Sequence, residues 1–326
     1  MRATAAEVDE VFEDDDGPVT RAVTQWLARR RLHADDYPPR RLADLKGTTT
    51  VTVIVPTKEC AATIAGVLEG TVQPLAQHGL VDELVVVDAD SADGTASIAR
   101  RAGARVLPED ELERELGPAL GKGDAMWRAL RATGGEVTCF LDGDTADPNP
   151  RHLQGLLGPL LVDRSLALVK GAFDRPLDAD GVKLAHEGGR VTELMARPLL
   201  NLREPLLAGF TQPLAGEFAA RRGLLELCAF PVGYGIEIAI LIDALRAYGL
   251  DALAECHLGT RQNRHQPLRA LGEMAYAVLV AVENRLGAVA RADRRTAPGR
   301  YVRPWDDGAV ASVAVAERPP IRQRCS

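Results

Sequence analysis

Acidic residues follow two apolar segments of the chain, and their types and spacing suit metal-assisted chemistry. Residues 88–90 (Asp-Ala-Asp) come directly after the apolar segment 84–87, and residues 142–144 (Asp-Gly-Asp) come after segment 137–141. An ionised carboxylate is costly to bury without a partner, so each acidic step predicts the end of a buried strand. Carboxylates bind Mg²⁺ or Mn²⁺ together with phosphate oxygens. The pattern therefore predicts a site that holds a nucleotide diphosphate and a divalent metal.

The elements that position these strand ends follow an alternating pattern. Strands are predicted at 51–56, 83–87, 104–107 and 137–141, with helices at 61–76, 91–102 and 124–133 between them. This alternation predicts an α/β fold with a doubly wound, mostly parallel sheet, in which ligands bind at the carboxyl ends of the strands. Further helices are predicted at 20–31, 150–161, 191–200, 235–245 and 271–286, and further strands at 167–171 and 252–256.

Composition and charge exclude several classes of protein. The chain has 326 residues, and its 39 basic and 46 acidic residues give a net charge of −7, so we expect no nucleic-acid partner. No apolar run reaches the length of a membrane span, and the acidic N-terminus lacks a secretory signal. The 5 cysteines are scattered without a CxxC pair, which predicts reduced thiols and a cytoplasmic protein.

The first two strand ends carry candidate donor-binding residues. Pro56 stops the first strand, and the polar residues after it face the crevice: Lys58 suits a phosphate and Glu59 suits ribose hydroxyls. Asp88 and Ser91, after the second strand, suit hydrogen bonds to the base or ribose. Ser91 is equally suited to capping the following helix, and both roles can coexist.

Four other segments have polar residues in glycine-rich or loop surroundings. Residues 121–123 (Gly-Lys-Gly) allow close approach of backbone to a ligand, with Lys122 as the cation, although the full P-loop pattern is missing. Residues 188–193 begin a helix and suit an anion, with an ordinary helix cap as the alternative. Segments 212–217 and 233–237 are loops that end in glutamate. In segment 261–265, Asn and His suit metal or phosphate, unless they are merely solvated.

Taken together, these segments resemble the actinobacterial glucosyl-3-phosphoglycerate synthases, which are retaining glycosyltransferases with a GT-A fold. The resemblance runs from about residue 26 to residue 287. Its most specific parts are 121–123 with Trp127, 188–194 with 196–200, 212–217, and 233–237. It implies UDP-glucose as donor, 3-phosphoglycerate as a small anionic acceptor, Mg²⁺ or Mn²⁺ as cofactor, and a homodimer.

The resemblance also implies a role for each matching residue. The implied catalytic residues are Asp144, Glu237, Lys122 and Arg261. The expected donor-binding residues are Pro56, Thr57, Lys58, Glu59, Asp88, Ser91, Lys122, Asp142, Gly143 and Glu237. The expected acceptor-binding residues are Gly189, Arg190, Thr192 and His265, and the metal ligands are Asp144, Asp142 and either Asn263 or His265.

The chain departs from the family pattern at two places. The family has Pro-Ala-x-Asn-Glu where this chain has residues 56–60, Pro-Thr-Lys-Glu-Cys, and it has a metal-binding His where this chain has Asn263. The alternatives are therefore a divergent glycosyltransferase with another donor or anionic acceptor, or a non-catalytic protein that binds a nucleotide sugar. A nucleotidyltransferase would need a glycine-rich loop after the first strand, and residues 56–60 contain no glycine.

The chain is expected to divide into four parts. Residues 1–47 form an N-terminal extension with a short helix, 48–147 a nucleotide-sugar-binding subdomain, and 148–287 an acceptor-binding subdomain. Residues 288–326 are rich in Arg, Pro and Ala, and we expect a disordered tail there.

Overall fold

Eight strands form the central sheet, in the order β1-β11-β6-β9-β5-β2-β3-β4. The computed structural model describes residues 17–174, 177–179, 182–184, 189–261, 267–287, 299–303 and 309–322. The sheet strands are β1 (Arg31–His33), β2 (Val51–Thr57), β3 (Glu83–Asp88), β4 (Arg105–Pro108), β5 (Val137–Phe140), β6 (Leu168–Asp174), β9 (Phe218–Arg221) and β11 (Leu253–Thr260). All neighbouring pairs are parallel except those of β9, so the predicted mostly parallel α/β sheet is confirmed.

Two strands of this sheet were not predicted. β9 lies antiparallel between β5 and β6, and it joins the strands of the first half of the chain to those of the second half. β1 pairs with β11 at one edge of the sheet, so part of the expected N-terminal extension belongs to the sheet. Both strands are short and contain no β-branched residue, so strand propensity gives little signal for either.

Helices cover both faces of the sheet, and each predicted helix has an observed counterpart. They are α1 (Pro18–Arg30), α2 (Pro39–Lys46), α3 (64–76), α4 (Thr95–Arg101), α5 (Lys122–Arg131), α6 (Pro150–Val162), α7 (192–203), α8 (Arg222–Leu225), α9 (Ile236–Tyr248) and α10 (Leu268–Leu286). α6 shows how the local sequence sets a boundary. The Asn149 side chain accepts a hydrogen bond from the backbone N–H of Arg151, and Pro150 occupies the first helical position, where no N–H is needed.

The core has a layer on each side of the sheet. Leu153, Leu156 and Leu160 of α6 pack on one face with the apolar residues of α3. Trp127 of α5 and the aliphatic residues of α9 and α10 pack on the other face. Within the described ranges, no helix combines the length and apolarity that crossing a bilayer requires. Residues of α5 and α9 are therefore fixed from behind by the core, and their N-terminal ends reach the carboxyl edge of the sheet.

The segment after residue 287 differs from the expected disordered tail. Strands β12 (Gly299–Arg303) and β13 (Ala309–Val313) form a hairpin, and β14 (Glu317–Arg318) pairs with β10 (Phe230–Pro231). Arg318 makes two hydrogen bonds of 2.7 Å to the buried carboxylate of Asp124 in α5. Composition alone suggests disorder here because these contacts join residues that are far apart in sequence. Two further short strands, β7 (Leu177–Ala179) and β8 (Val182–Leu184), form a separate hairpin.

Candidate active site

A cleft of about 1000 Å³ lies at the carboxyl edge of the sheet. One wall comes from the ends of β2 and β5, with Thr57, Lys58 and residues 142–144. The opposite wall comes from the start of α5, the loop before α9, one side of α10, and residues 312–314 of the C-terminal segment. A cleft at the strand ends of an open α/β sheet is the expected place for a ligand.

Lys122 lies between two carboxylates at the centre of this cleft. Its Nζ is 2.7 Å from Asp142 Oδ1 and 2.9 Å from Glu237 Oε1. Burial by itself would lower the pKa of Lys122, but the two carboxylates raise it well above the usual value, so the ammonium keeps its proton. The triad brings together residues that start α5, follow β5 and start α9.

Arg261 lies behind the same aspartate and is almost completely buried. One Nη atom is 3.2 Å from Asp142 Oδ2 and 3.6 Å from Asp144 Oδ1, and the other contacts Glu217 Oε1. Burial would raise the pKa of Asp142, but Lys122 and Arg261 hold it well below the ordinary range. Asp142 therefore acts as an anion that holds two cations at the edge of the cleft.

Asp144 differs from Asp142 in its surroundings. Its side chain is 72% exposed, it lines the cleft, and its nearest recorded cation is Arg261. Of the two carboxylates it is the one with oxygens available to a metal ion. Among the described residues, no cluster of three or more His, Cys, Asp or Glu side chains forms a complete metal site. A metal at Asp144 would need oxygen ligands from a phosphate, as is usual for Mg²⁺.

Two glycines let the backbone approach this centre closely. A Cβ at Gly216 would lie 2.5 Å from Asp142 Oδ1 and 2.6 Å from Lys122 Nζ, so the loop between Gln212 and Glu217 can be this close only with glycine. Gly121, just before Lys122, has a φ of +139°, which side chains rarely tolerate. Both glycines belong to segments that the sequence singled out.

Lys170 of β6 is a buried cation that the sequence did not single out. Its Nζ donates to the carbonyl oxygen of Ala215 at 2.6 Å and lies over the Phe218 ring. Burial lowers the pKa of Lys170 to about 7. This bond holds the loop that carries Gly216 against Asp142. No sequence signal identifies it, because Lys170 lies within an apolar strand and its partner is a backbone carbonyl in a distant loop.

The predicted donor-binding residues after β2 and β3 form a connected polar network. The Asp88 carboxylate accepts hydrogen bonds from the hydroxyls of Thr57 and Ser91, and Ser91 Oγ accepts from the backbone N–H of Glu59. The Glu59 carboxylate in turn accepts from the backbone N–H of Ala92 at 2.9 Å. The two strand ends are thus held together, and the role of each residue toward a donor stays a prediction.

The predicted acceptor-binding residues lie around the start of α7. Gly189 has a φ of +76°, and Thr192 is buried nearby. The amide oxygen Oε1 of Gln212 is buried without a hydrogen-bond partner within the described ranges, and it is 4.0 Å from the place of a Cβ on Gly189. Because Gln212 begins the loop that ends at Glu217, this region connects directly to Asp142 and Lys122.

The structure brings Lys122, Asp142, Asp144, Glu237 and Arg261 together, as expected from their motifs. Pro56, Thr57, Lys58 and Gly143 line the same cleft. Asn263 and His265 lie outside the described residues, so the choice between them as metal ligand stays open. The C-terminal residues 312–314 are part of the cleft, and the Arg- and Pro-rich composition gave no signal for this.

Known proteins of one group share this sequence and architecture. Residues 52–208 match the family model described as Glycosyl transferase family 2. The chain is 41% identical over 302 residues to the glucosyl-3-phosphoglycerate synthase of Mycolicibacterium smegmatis, a match that covers 91% of this chain and 97% of that protein. It is 39% identical over 220 residues to the enzyme of the same name from Petrotoga mobilis, which covers 68% of each.

Solved structures show the same similarity. The crystal structure of glucosyl-3-phosphoglycerate synthase from Mycobacterium tuberculosis, in complex with Mn²⁺, UDP and phosphoglyceric acid, superposes with a TM-score of 0.77 at 37% identity. That match covers 88% of this chain and 95% of the other. Mannosyl-3-phosphoglycerate synthase from Rubrobacter xylanophilus gives a TM-score of 0.80 at 40% identity, and covers 93% of this chain and 98% of the other.

Proposed function

Because the chain belongs to the glucosyl-3-phosphoglycerate synthases of glycosyl transferase family 2, we propose that it transfers glucose from UDP-glucose to the hydroxyl of 3-phosphoglycerate with retention. One observation supports this assignment above the others. Asp142, at the end of a central strand, holds two cations at the edge of a cleft, and the exposed carboxylate of Asp144 lies beside it. Two fixed cations beside a carboxylate that is open to a metal ion suit the stabilisation of a leaving group that carries negative charge.

Asp144 would hold the divalent metal together with phosphate oxygens of the donor. Asn263 or His265 is the further protein ligand that the family resemblance implies. The residues present fit such an ion, because the Asp144 carboxylate is exposed toward the cleft and provides the hard oxygens that Mg²⁺ and Mn²⁺ prefer. An ion held there would neutralise the negative charge that grows on the leaving diphosphate.

The chain's own cations stabilise the same charge. Lys122 keeps its proton and lies on one side of Asp142, and Arg261 lies on the other. Both are fixed before the donor arrives, so little reorganisation is needed as the bond to the sugar breaks. Glu237 Oε1 lies 2.9 Å from Lys122 Nζ, which supports a role for Glu237 in holding the glucose hydroxyls next to the diphosphate.

The acceptor binds at the start of α7, where Gly189, Arg190 and Thr192 receive its phosphate or carboxylate. The backbone N–H groups of a helix start attract anions, and Arg190 adds a positive charge. The buried amide oxygen of Gln212 faces this region and suits a hydroxyl donor. The loop from Gln212 to Glu217 thus has the acceptor region at its start and the donor region at its end. Holding both substrates beside this loop makes the transfer effectively intramolecular.

The experiment that tests this assignment is a donor and acceptor screen. We expect UDP release from UDP-glucose with Mg²⁺ or Mn²⁺ only when 3-phosphoglycerate is present, and a product with the mass of glucosyl-3-phosphoglycerate. Binding of UDP-glucose without any transfer would indicate the non-catalytic alternative. Transfer to an uncharged acceptor such as glycerol, at an equal rate, would overturn the anionic acceptor.

Mannosyl transfer to the same acceptor is a second candidate. The similarity to the Rubrobacter xylanophilus enzyme, at 40% identity over 93% of this chain, supports it. The same screen decides between the two, because it compares the glucosyl and mannosyl donors of each nucleoside diphosphate under identical conditions.

We place the enzyme in the cytoplasm and expect it to be a homodimer. The described cysteines Cys60, Cys139, Cys228 and Cys256 are buried thiols, which fits a reducing compartment. Leu194 and Leu202 of α7 are strongly exposed, as is Leu268 of α10, and these apolar side chains suit a contact between two copies. Light scattering of the purified protein measures the oligomeric state directly.

A further inference from the structure

Glu109, at the end of β4, is a buried acid that the mechanism above does not use. Only 7% of the residue is exposed, its Oε1 has no hydrogen-bond partner within the described ranges, and the residue lines the cleft. A buried carboxyl oxygen without a partner is uncommon in folded proteins, and such a group in a binding cleft calls for an explanation.

The position of Glu109 is at the end of the cleft away from the sugar. Thr57, Asp88 and Pro108 are register partners across β2, β3 and β4, so Glu109 directly follows the last residue of this row. Lys122 and Glu237, which we assign to the diphosphate and the glucose, lie across the cleft near β5 and α9. A nucleotide sugar that spans the cleft therefore has its base at the end near Glu109.

Asp88, at the same edge of the sheet, is engaged by more hydrogen bonds than Glu109. One oxygen accepts from the hydroxyls of Thr57 and Ser91, and the other accepts from the backbone N–H of Ser91. Glu109, by contrast, lines the cleft with a buried carboxyl oxygen that has no hydrogen-bond partner among the described residues. We propose that the Glu109 side chain reads the nucleobase of the donor and selects uracil. This inference rests on the proposed function and names the residue that chooses the donor nucleotide.

The protonation state of Glu109 determines which base fits. Burial, and then the nearby carboxylate of Asp124, raise its pKa to about 7, with Asp88 acting in the same direction and Arg128 and Lys58 opposing. A protonated carboxyl both donates and accepts, which matches the N3–H and the neighbouring carbonyl of uracil. An ionised carboxylate only accepts, which matches the two N–H groups on the guanine edge.

Hydrogen bonds from α5 hold the loop that follows Glu109. Arg128 of α5 is fully buried and donates to the carbonyls of Leu112 and Gly117, in the loop that follows Glu109. The Asp124 carboxylate accepts from the backbone N–H of Leu120 in the same loop. A preordered loop loses less conformational entropy on binding, which favours the affinity for a nucleotide.

The test is the ratio of UDP to GDP affinity, measured by calorimetry with Mn²⁺ between pH 6 and pH 8.5. The two nucleotides share the diphosphate and the metal, so their titrations cancel in the ratio. For the wild-type protein we expect the preference for UDP to fall about ten-fold or more as the pH rises through 7. Glu109→Gln keeps a donor and an acceptor without titrating, so it should retain the preference at every pH.

Two further variants complete the test. Glu109→Leu removes both hydrogen bonds and should abolish the preference while leaving affinity for the diphosphate. Glu111→Gln, an exposed glutamate on the same short turn, should behave as wild type. Two results would overturn this inference but not the proposed function. One is tight UDP binding with a UDP to GDP affinity ratio that does not change with pH. The other is a Glu109→Gln protein whose ratio depends on pH as in the wild type. Failure of wild-type protein to bind either nucleotide would overturn the proposed function as well.

Discussion

Asp142 contacts both Lys122 and Arg261, and this leaves Asp144 as the acid that faces the cleft. The two carboxylates are only two residues apart, yet burial and ion pairing give them different roles. The sequence predicts that both are functional, because both follow a strand. Position after a strand cannot by itself assign the roles, because these depend on Arg261, which is more than a hundred residues away in the chain.

Removal of the Asp144 carboxylate should affect activity without affecting stability. We expect Asp144→Ala to lower kcat by about 10²–10³-fold, the usual effect of losing one group that stabilises transition-state charge. The melting temperature should not change, since the side chain is 72% exposed. Asp251→Ala, another exposed aspartate outside the cleft, is the matched control. An Asp144→Ala enzyme with full activity and unchanged metal dependence would contradict a metal at this residue.

Lys170 should make stability depend on pH. Its pKa is near 7 in the folded protein because of burial, whereas a lysine in the unfolded chain keeps its proton to about pH 10.4. Lys170 is therefore most unfavourable for folding below pH 7, and this disadvantage shrinks as the pH rises toward 10. We expect the free energy of unfolding of Lys170→Met, relative to wild type, to decrease between pH 6.5 and pH 9.

Urea unfolding at several pH values measures this difference. The carbonyl of Ala215 loses its donor in the variant, which costs about 1–3 kcal/mol at every pH and shifts the whole curve without changing its slope. Parallel stability curves for the two proteins would show that Lys170 stays charged in the folded state.

At the level of elements, local sequence is most informative where the residues of a strand or helix themselves show the apolar pattern of that element. β2, β3 and β5 are rich in buried β-branched or aromatic residues, and all three were predicted. β9, β1 and β14 were missed because each exists through pairing with a distant strand. The family that the motif blocks indicated is confirmed by the 41% identity to the Mycolicibacterium smegmatis enzyme. The cleft wall at 312–314 depends on such distant pairing and was not predictable.

β14 should be essential for the position of α5. Among the described residues, Arg318→Met leaves the fully buried Asp124 carboxylate with Arg128 as its one charged partner, and breaking a buried pair in this way costs about 3–5 kcal/mol. We expect a lower melting temperature and weaker UDP binding, since Lys122 begins the same helix. Adding Asp124→Asn should recover part of the stability by removing the buried charge.

Arg322→Gln is the control for this prediction. Arg322 belongs to the same C-terminal segment, but its pair with Glu226 is 53% exposed on the arginine side, and surface pairs contribute about 0–1 kcal/mol. Equal effects of the Arg318 and Arg322 variants would mean that the segment contributes only through its backbone.

At the scale of the whole molecule, one sheet connects the two halves of the chain. β9 pairs with β5 from the first half and β6 from the second, and α6 packs against β5, β6, β9 and β11. The proposed boundary near residue 147 therefore falls within a continuous sheet. We expect a single cooperative unfolding transition in urea, with far-UV circular dichroism and tryptophan fluorescence giving the same midpoint.

Added UDP should move that single midpoint upward, because a ligand that binds only the folded state stabilises the whole cooperative unit. Two separate transitions, of which UDP shifts only one, would show that the halves unfold independently.

The C-terminal segment, which provides residues 312–314 of one cleft wall, also affects refolding. Trp127 contacts Pro319 and Asp124 contacts Arg318 across 192 and 194 residues of sequence, among the most distant contacts in the molecule. Closing so long a loop is entropically costly, and contacts of high sequence separation form slowly. The C-terminal segment, which completes the nucleotide cleft, is therefore expected to dock late in refolding. Recovery of UDP binding should accordingly follow recovery of secondary structure. Most of the fold would then form before the protein can bind its donor.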